Sequence, residues 1–282
     1  MAEPASPLVT AAWLAAHVGA SGLVVLDGSW HMPDAGRDAK AEYAAAHIPG
    51  AAFFDIDAVA DHATDLPHML PQPADFATAA RRLGVDPDST VVVYDTVGIF
   101  SAPRVWWTFR TMGCDKVFVL DGGLPAWIAE GHPVETGWTE PPHGAFKAHP
   151  RPQLVASLAD VRQRLEKGAA QLVDARGAPR FRGEAPEPRP GLRAGHMPGA
   201  KNAHYASLIE GGRLKSPAAL RAAFESAGVD LDRPIVTTCG SGISAAILAL
   251  ALARLGRWQT PVYDGSWTEW GAQADTPVAT GP

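Results

Sequence analysis

Ile235-Val236-Thr237-Thr238-Cys239-Gly240-Ser241-Gly242-Ile243-Ser244-Ala245 is the stretch on which the reading of this chain turns. The apolar run from Pro234 to Thr238 predicts a buried strand, and the apolar segment from Ser244 to Leu255 predicts a helix. Between them lie one cysteine and two glycines. A strand, a tight loop and a helix start aim backbone N–H groups at an anion. Glycines let those groups converge without Cβ clashes. Here the anion would be the sulfur of Cys239, because a helix N-terminus favours the thiolate form. Gly240, Gly242, Ile243 and Ser244 would then line the space where a sulfur or small anion binds above it. The competing reading is a buried, inert cysteine ahead of a core helix. Two flanking glycines would serve no purpose in that case.

Working outward, the chain repeats itself. His47-Ile48-Pro49-Gly50-Ala51 returns as His196-Met197-Pro198-Gly199-Ala200, an offset of 149 (196 − 47). Leu26-Asp27 matches Val173-Asp174 at 147 (174 − 27), and Asp121-Gly122-Gly123 matches Asp264-Gly265-Ser266 at 143 (264 − 121). Anchors in one order at nearly one offset mean a duplicated domain, not a solenoid. The Pro-rich stretch from Gly137 to Gly144, then His149-Pro150-Arg151-Pro152, reads as the connection. The expected limits are 1–136 for the first domain, 137–153 for the linker and 154–282 for the second domain.

Each half predicts the same elements. In the first, Thr10 opens a short helix, Leu23 to Asp27 is a strand, and Tyr43 to His47 reads as helical. A helix follows from Pro73 to Leu83, then strands over Val91–Asp95 and Val117–Asp121 around a helix opened by Ser101-Ala102-Pro103-Arg104. In the second half, Ser157 with Asp160 starts a helix by a capping box, and Ser216-Pro217 starts another. Strands fall at Leu172–Asp174, Pro234–Thr238 and Pro261–Asp264. Short apolar strands alternating with helices predict an α/β fold, each half a parallel sheet flanked by helices. Ligands of such sheets bind at the strand C-termini, where Cys239 falls. Aligning Ser101-Ala102 with Ser244-Ala245 puts Thr96 opposite Cys239, so only the second half carries a nucleophile.

Bulk composition narrows the classes. With 46% hydrophobic and 19% charged residues the chain is globular. A net charge of −6 gives no electrostatic case for nucleic acid or an anionic membrane. Two cysteines, Cys114 and Cys239, exclude a disulfide framework and a four-cysteine zinc site. Met1-Ala2-Glu3-Pro4 lacks a basic signal-peptide start, and the Ala-rich segment Thr10 to Ala20 is too short to span a bilayer. A soluble cytoplasmic protein without membrane contact is expected.

These motifs converge on one resemblance. Cys239-Gly240-Ser241-Gly242-Ile243-Ser244-Ala245 resembles the active loop of the rhodanese superfamily, and the tandem halves resemble its two-domain sulfurtransferases. Further matches are Gly36-Arg37-Asp38, His47-Ile48-Pro49-Gly50-Ala51, His68-Met69-Leu70-Pro71, Arg180-Phe181-Arg182-Gly183, Glu187-Pro188-Arg189 and Tyr263-Asp264-Gly265-Ser266-Trp267. Together they run from about Trp13 to Trp270. Ile243-Ser244 stands where Val-Thr is usual. The neutral Gly240-Ser241 pair resembles the members that take sulfur from 3-mercaptopyruvate; thiosulfate users tend to carry Arg and Lys there.

The resemblance implies two tandem rhodanese-like domains and a double displacement through a Cys239 persulfide. Pyruvate is released, and the sulfur passes to a thiol such as thioredoxin or a small thiol, or to cyanide. No metal or organic cofactor is implied. The donor's carboxylate and carbonyl fall to Arg180 and Arg189, since Arg suits planar carboxylates. By residue type alone, both arginines equally suit a solvated loop. An Asp–His–Ser relay maps to Asp57, His68 and Ser241, in which Asp orients His toward Ser or the substrate thiol. His68 between Pro67 and Pro71 also suits plain packing, and Asp57 a turn. His47 and His196 occur twice and are expected to be structural, and Cys114 to be a passive thiol. The alternatives are a thiosulfate sulfurtransferase and a non-catalytic partner-binding tandem module. A Cys-x5-Arg phosphatase needs Arg where Ala245 stands.

Overall fold

The computed structural model describes residues 6–282, so the start Met1–Pro4 lies outside the described residues. The first half of the chain runs β1 (Leu8–Val9), α1 (Ala11–Ala15), β2 (Leu23–Asp27), α2 (Ala39–Ala45), β3 (Ala52–Phe53), α3 (Pro73–Arg82), β4 (Thr90–Tyr94), α4 (Ala102–Thr111), β5 (Val117–Leu120) and α5 (Gly123–Ala129). The second runs β6 (Val155–Ala156), α6 (Leu158–Lys167), β7 (Gln171–Asp174), α7 (Ala178–Phe181), β8 (Lys201–Asn202), β9 (Ile209–Glu210), β10 (Arg213–Leu214), α8 (Pro217–Ser226), β11 (Ile235–Thr238), α9 (Ile243–Arg254), β12 (Val262–Tyr263) and α10 (Ser266–Trp270).

The chain divides into two compact units, and the division does not follow the chain halves throughout. Residues up to Asp61, Leu70–Arg151 and Gly211–Leu214 form the first; His62–Met69, Pro152–Glu210 and Lys215–Pro282 form the second. Each holds a five-stranded sheet. The order is β1-β5-β4-β2-β3 in the first and β6-β12-β11-β7-β8 in the second. Every paired neighbour in these two sheets is parallel. The strands are apolar on both faces because helices cover both: Val91, Val92 and Val93 of β4 are fully buried, as is Val236 of β11.

Two helices lead away from the strand ends that matter most. α4 buries all ten of its residues, and α9 buries ten of its twelve. A helix apolar all round belongs in a core. Alanine alternating with Ile247, Leu248, Leu250 and Leu252, all fully buried, lets α9 sit close beneath the sheet. Each such large side chain contributes about 1.5–3 kcal/mol by leaving water. The helix that presents the Cys239 loop is therefore rigidly anchored.

Local chemistry explains the boundaries. Thr10 caps α1 through Trp13 N, and Ser157 and Asp160 form the expected capping box of α6. The helix expected over Tyr43–His47 instead begins at Ala39, because the Asp38 carboxylate accepts from Lys40 N and Ala41 N. It stops before His47, whose backbone pairs with Glu135. The edge strands β1, β3, β6 and β8 have two residues each, too few for any periodicity to mark them. Of residues 137–153, expected to be the linker, those up to Arg151 belong to the first unit: Trp138 packs on Tyr43 and Phe53, and Phe146 on Phe76 and Phe109. No helix among the described residues is long and apolar enough to cross a membrane.

Candidate active site

Cys239 is the first residue after β11, and α9 starts four residues later at Ile243. Its Sγ accepts a hydrogen bond from Gly242 N at 3.1 Å. Gly242 has φ +86°, the left-handed region where glycine is favoured, and this twist turns its N–H back onto the sulfur. The loop carbonyls are tied off in the other direction. Trp267 N donates to Cys239 O, and Thr268 donates to Gly240 O through both N (2.9 Å) and Oγ1 (2.6 Å). With its carbonyls held by α10, the loop can turn its amides toward the sulfur. The first N–H groups of α9 have no intrahelical acceptor either, so positive potential gathers at Cys239. Cys239 and Ser241 are both buried.

Ser266 completes the cradle. It has φ +50°, unusual for a residue with a side chain. Its hydroxyl donates to Tyr263 O at 2.7 Å and accepts from Cys239 N at 3.2 Å. The equivalent residue of the first unit is Gly123, at φ +55°.

Beside the loop lies a chain of four buried or half-buried charges. Arg176 grips Asp174, at the end of β7, with Nε and Nη2 (2.7 Å for Nη2), and bonds Gly195 O. Its guanidinium lies 4.4 Å over the Trp267 ring. Its Nη1 reaches Glu187 Oε1 at 2.7 Å, and the other oxygen, Oε2, takes Arg180 Nη2 at 2.5 Å. That same Nη2 would stand 3.0 Å from a Cβ at position 240, so Arg180 is immediately beside the Cys239 loop. Arg180 Nε is buried and has no hydrogen-bond partner among the described residues.

Arg189 Nη2 lies 3.4 Å from His68 Nε2. His68 is buried and has φ +61°, a second left-handed residue with a side chain. The segment His62–Met69 that carries it belongs to the second unit, with Cys239, Ser241, Arg180 and Arg189. His68 and Ser241 are thus in one compact unit, although far apart in sequence. Asp57 lies in the first unit, where its Oδ2 accepts from Trp30 Nε1 at 2.9 Å.

The first unit has the same loop with a different anion. Tyr94 pairs with Asp27 as Thr238 pairs with Asp174, so the residue after the strand is Asp95 in one unit and Cys239 in the other. The expected counterpart, Thr96, is displaced by one because the first loop is one residue longer. Asp95 is fully buried. Its Oδ1 accepts from Val97 N and Gly98 N, and its Oδ2 from Phe100 N, Ser101 N and Ala102 N, all within 2.8–2.9 Å. The Thr96 hydroxyl bonds Glu42, which also pairs with Arg37 and His31.

The remaining candidates are structural. His47 Nδ1 bonds Tyr43 O and His196 Nδ1 bonds Phe181 O, each ring stacked on an aromatic neighbour. Burial, with Asp115 beside it, pushes the Cys114 thiol up to about 12, which leaves it protonated and inert. Sequence reasoning gave no role to Arg176, Glu187, Ser266 or Thr268. Glu187 and Ser266 fall in motifs that match the family, and Ser266 also replaces Gly123 in the repeat; Arg176 and Thr268 left no trace.

Comparison with known proteins agrees with this tandem fold. The rhodanese-like domain matches twice, over residues 10–130 and 157–273. Over 271 residues the chain is 46% identical to the 3-mercaptopyruvate sulfurtransferase of Escherichia coli (strain K12), covering 96% of each. It is 44% identical over 271 residues to the thiosulfate sulfurtransferase of Bos taurus, covering 93% of this chain and 91% of that protein. Among solved structures, SseA from Escherichia coli, a 3-mercaptopyruvate sulfotransferase, matches with a TM-score of 0.86 at 43% identity, over 93% of this chain and 99% of the other. The two domain matches, together with these relatives, place the chain in the rhodanese family, with two rhodanese-like domains in tandem.

Proposed function

We propose that the chain is a 3-mercaptopyruvate sulfurtransferase. The observation that carries this reading is Arg180: a guanidinium beside a loop that is itself neutral, with a buried Nε left without a partner. A donor whose charge is a carboxylate some atoms from its sulfur suits that layout. The relative from Escherichia coli bears this activity in its name.

In the proposed reaction the Cys239 thiolate attacks the sulfur of 3-mercaptopyruvate. The new S–S bond forms as the S–C bond breaks, and the electron pair leaves with carbon as pyruvate enolate. The enolate takes a proton to give pyruvate, and Cys239 is left as a persulfide. Gly242 N and the first turn of α9 stabilise the anionic sulfur. Arg180 and Arg189 hold the carboxylate and carbonyl. His68, set against Arg189 and paired in role with Ser241, manages the proton; the family pattern gives Asp57 the part of orienting it. Gly240, Ile243 and Ser244 complete the wall around the transferred sulfur. An acceptor thiol, from thioredoxin or a small thiol, or cyanide, then attacks the outer sulfur and restores Cys239. The catalytic domain is 154–282, joined through 137–153 to a first domain, 1–136, without a nucleophile. A reducing cytoplasm suits a free reactive cysteine.

A second reading, thiosulfate sulfurtransferase, is favoured by the bovine relative's name. Side-by-side steady-state assays with the two donors separate them. The expected result is a higher kcat/KM for 3-mercaptopyruvate; a higher value for thiosulfate reverses the assignment. Arg180→Ala should lower kcat/KM for 3-mercaptopyruvate about 10- to 150-fold, the worth of one charge-assisted contact.

A further inference from the structure

The side-chain hydrogen bonds of Glu187 run to Arg176 and Arg180, and none of the roles above falls to it. Its side chain is nonetheless only 2% exposed, in a Pro- and Gly-rich segment that would otherwise be loose. Each oxygen is committed to a different guanidinium: Oε1 to Arg176 and Oε2 to Arg180. The two arginines differ in freedom. Arg176 is 1% exposed and fixed by Asp174, Gly195 O and the Trp267 face. Arg180 is 28% exposed, on a four-residue helix, and Glu187 is its one ion-pair partner among the described residues. Rigidity therefore passes one way, from the end of β7 through Arg176 to Glu187 and on to Arg180.

We propose that Glu187 is a positioning residue. It clamps Arg180 through Nη2, the atom that lies beside position 240, so that the guanidinium stays at the Cys239 loop, ready for a donor carboxylate. Through the same anchor it also holds down the chain two residues before Arg189. This inference rests on the reading of Arg180 as a carboxylate contact. Without the clamp, a long cationic side chain loses little by swinging into water, and the donor must then reorder it at a cost in affinity. The chemistry at sulfur does not involve Glu187.

That separation defines the test. Glu187→Gln keeps the shape but offers one oxygen and one NH2, so one arginine must face a donor instead of an acceptor. With 3-mercaptopyruvate, KM should rise about tenfold or more, with a smaller change in kcat. Inorganic polysulfide carries no carboxylate. Cys239 thiolate attacks its terminal sulfur, the adjacent S–S bond breaks and a shorter polysulfide leaves, giving the same persulfide. Its loading rate on E187Q, followed by stopped-flow and intact mass, should stay at the wild-type value. Unchanged KM for 3-mercaptopyruvate overturns the proposal. So does a parallel fall in polysulfide loading, which would mark a general structural role. Should E187Q fail to fold, Glu187→Asp keeps the charge but cannot span both arginines, and must show the same split between the two donors. Arg180→Ala run alongside keeps the two claims distinct. If R180A leaves KM unmoved, the reading of Arg180 fails. If R180A raises KM and E187Q does not, only the clamp fails.

Discussion

The Asp95 loop and the Cys239 loop are the same device holding two different anions. Both follow the central strand of a five-stranded parallel sheet, and each opens a helix that is wholly (α4) or almost wholly (α9) buried. In the first unit the cradle is filled permanently by a carboxylate that takes five backbone N–H groups. In the second it holds a sulfur with a single amide at 3.1 Å, leaving the rest of the helix start free to stabilise added charge. The lesson is that a loop of this kind needs an anion, and whether it reacts depends on whether that anion is a nucleophile. The strand ends beside the loops differ in the same sense. Asp174 is paired with Arg176, both about 1% exposed, whereas no cation faces Asp27 among the described residues. Its position in the repeat is followed by Ser29 where Asp174 is followed by Arg176.

Removing the built-in anion should give the largest effect. Asp95→Ala leaves the N–H groups of Gly98, Ser101 and Ala102 buried without an acceptor. At about 1–3 kcal/mol each, a loss of about 4 kcal/mol or more is expected, read as a lower urea midpoint. A change below about 1 kcal/mol would mean the cradle does not need its anion. Next comes Asp174→Asn, which leaves the buried Arg176 guanidinium with one carboxylate partner, Glu187, instead of two, and should cost about 3–5 kcal/mol.

The matching change, Asp27→Asn, should act in the opposite direction and depend on pH. Burial raises the Asp27 carboxyl from 3.8 to about 6, with Ser29 and Tyr94 offsetting part of the rise and Asp95 adding to it. The folded state therefore binds more protons than the unfolded chain between those values. This contribution to stability is fully present below 3.8 and is lost as pH rises through about 6. D27N removes the loss, so it should be more stable than wild type at about pH 8, by up to about 3 kcal/mol, and much closer to it at about pH 4. Urea unfolding at the two pH values checks it. A destabilised D27N at the higher pH would show that the two strand ends are not opposites.

Much of this was legible in the sequence. The duplication, the alternation of strands and helices, and the strand–Cys–Gly–helix turn are carried by local patterns, and the parallel sheets follow from them. What escaped depended on long-range pairing. Asp95 looked like the end of a strand, and only its register with Asp27 shows that it stands where Cys239 stands. His68 reads as a residue of the first half, yet its segment packs into the second unit, which no linear pattern records. Arg176 and Glu187 are charges in a polar loop, and nothing in their spacing marks them as buried and clamped. Ser266 was visible as part of a matching motif and as a mismatch with Gly123, neither of which gives its hydroxyl a role. A Cβ at Gly123 would stand 2.3 Å from Asp95 O, while the first unit has no need of a hydroxyl there.

The central claim is that only the cradle holding sulfur is chemically active. Peptide mapping by mass spectrometry after exposure to 3-mercaptopyruvate, before any acceptor thiol is added, tests it directly. The expected result is one added sulfur atom per chain, located on Cys239, absent in Cys239→Ser and retained in Cys114→Ser. Added sulfur on Cys114, or pyruvate release that survives Cys239→Ser, would contradict it.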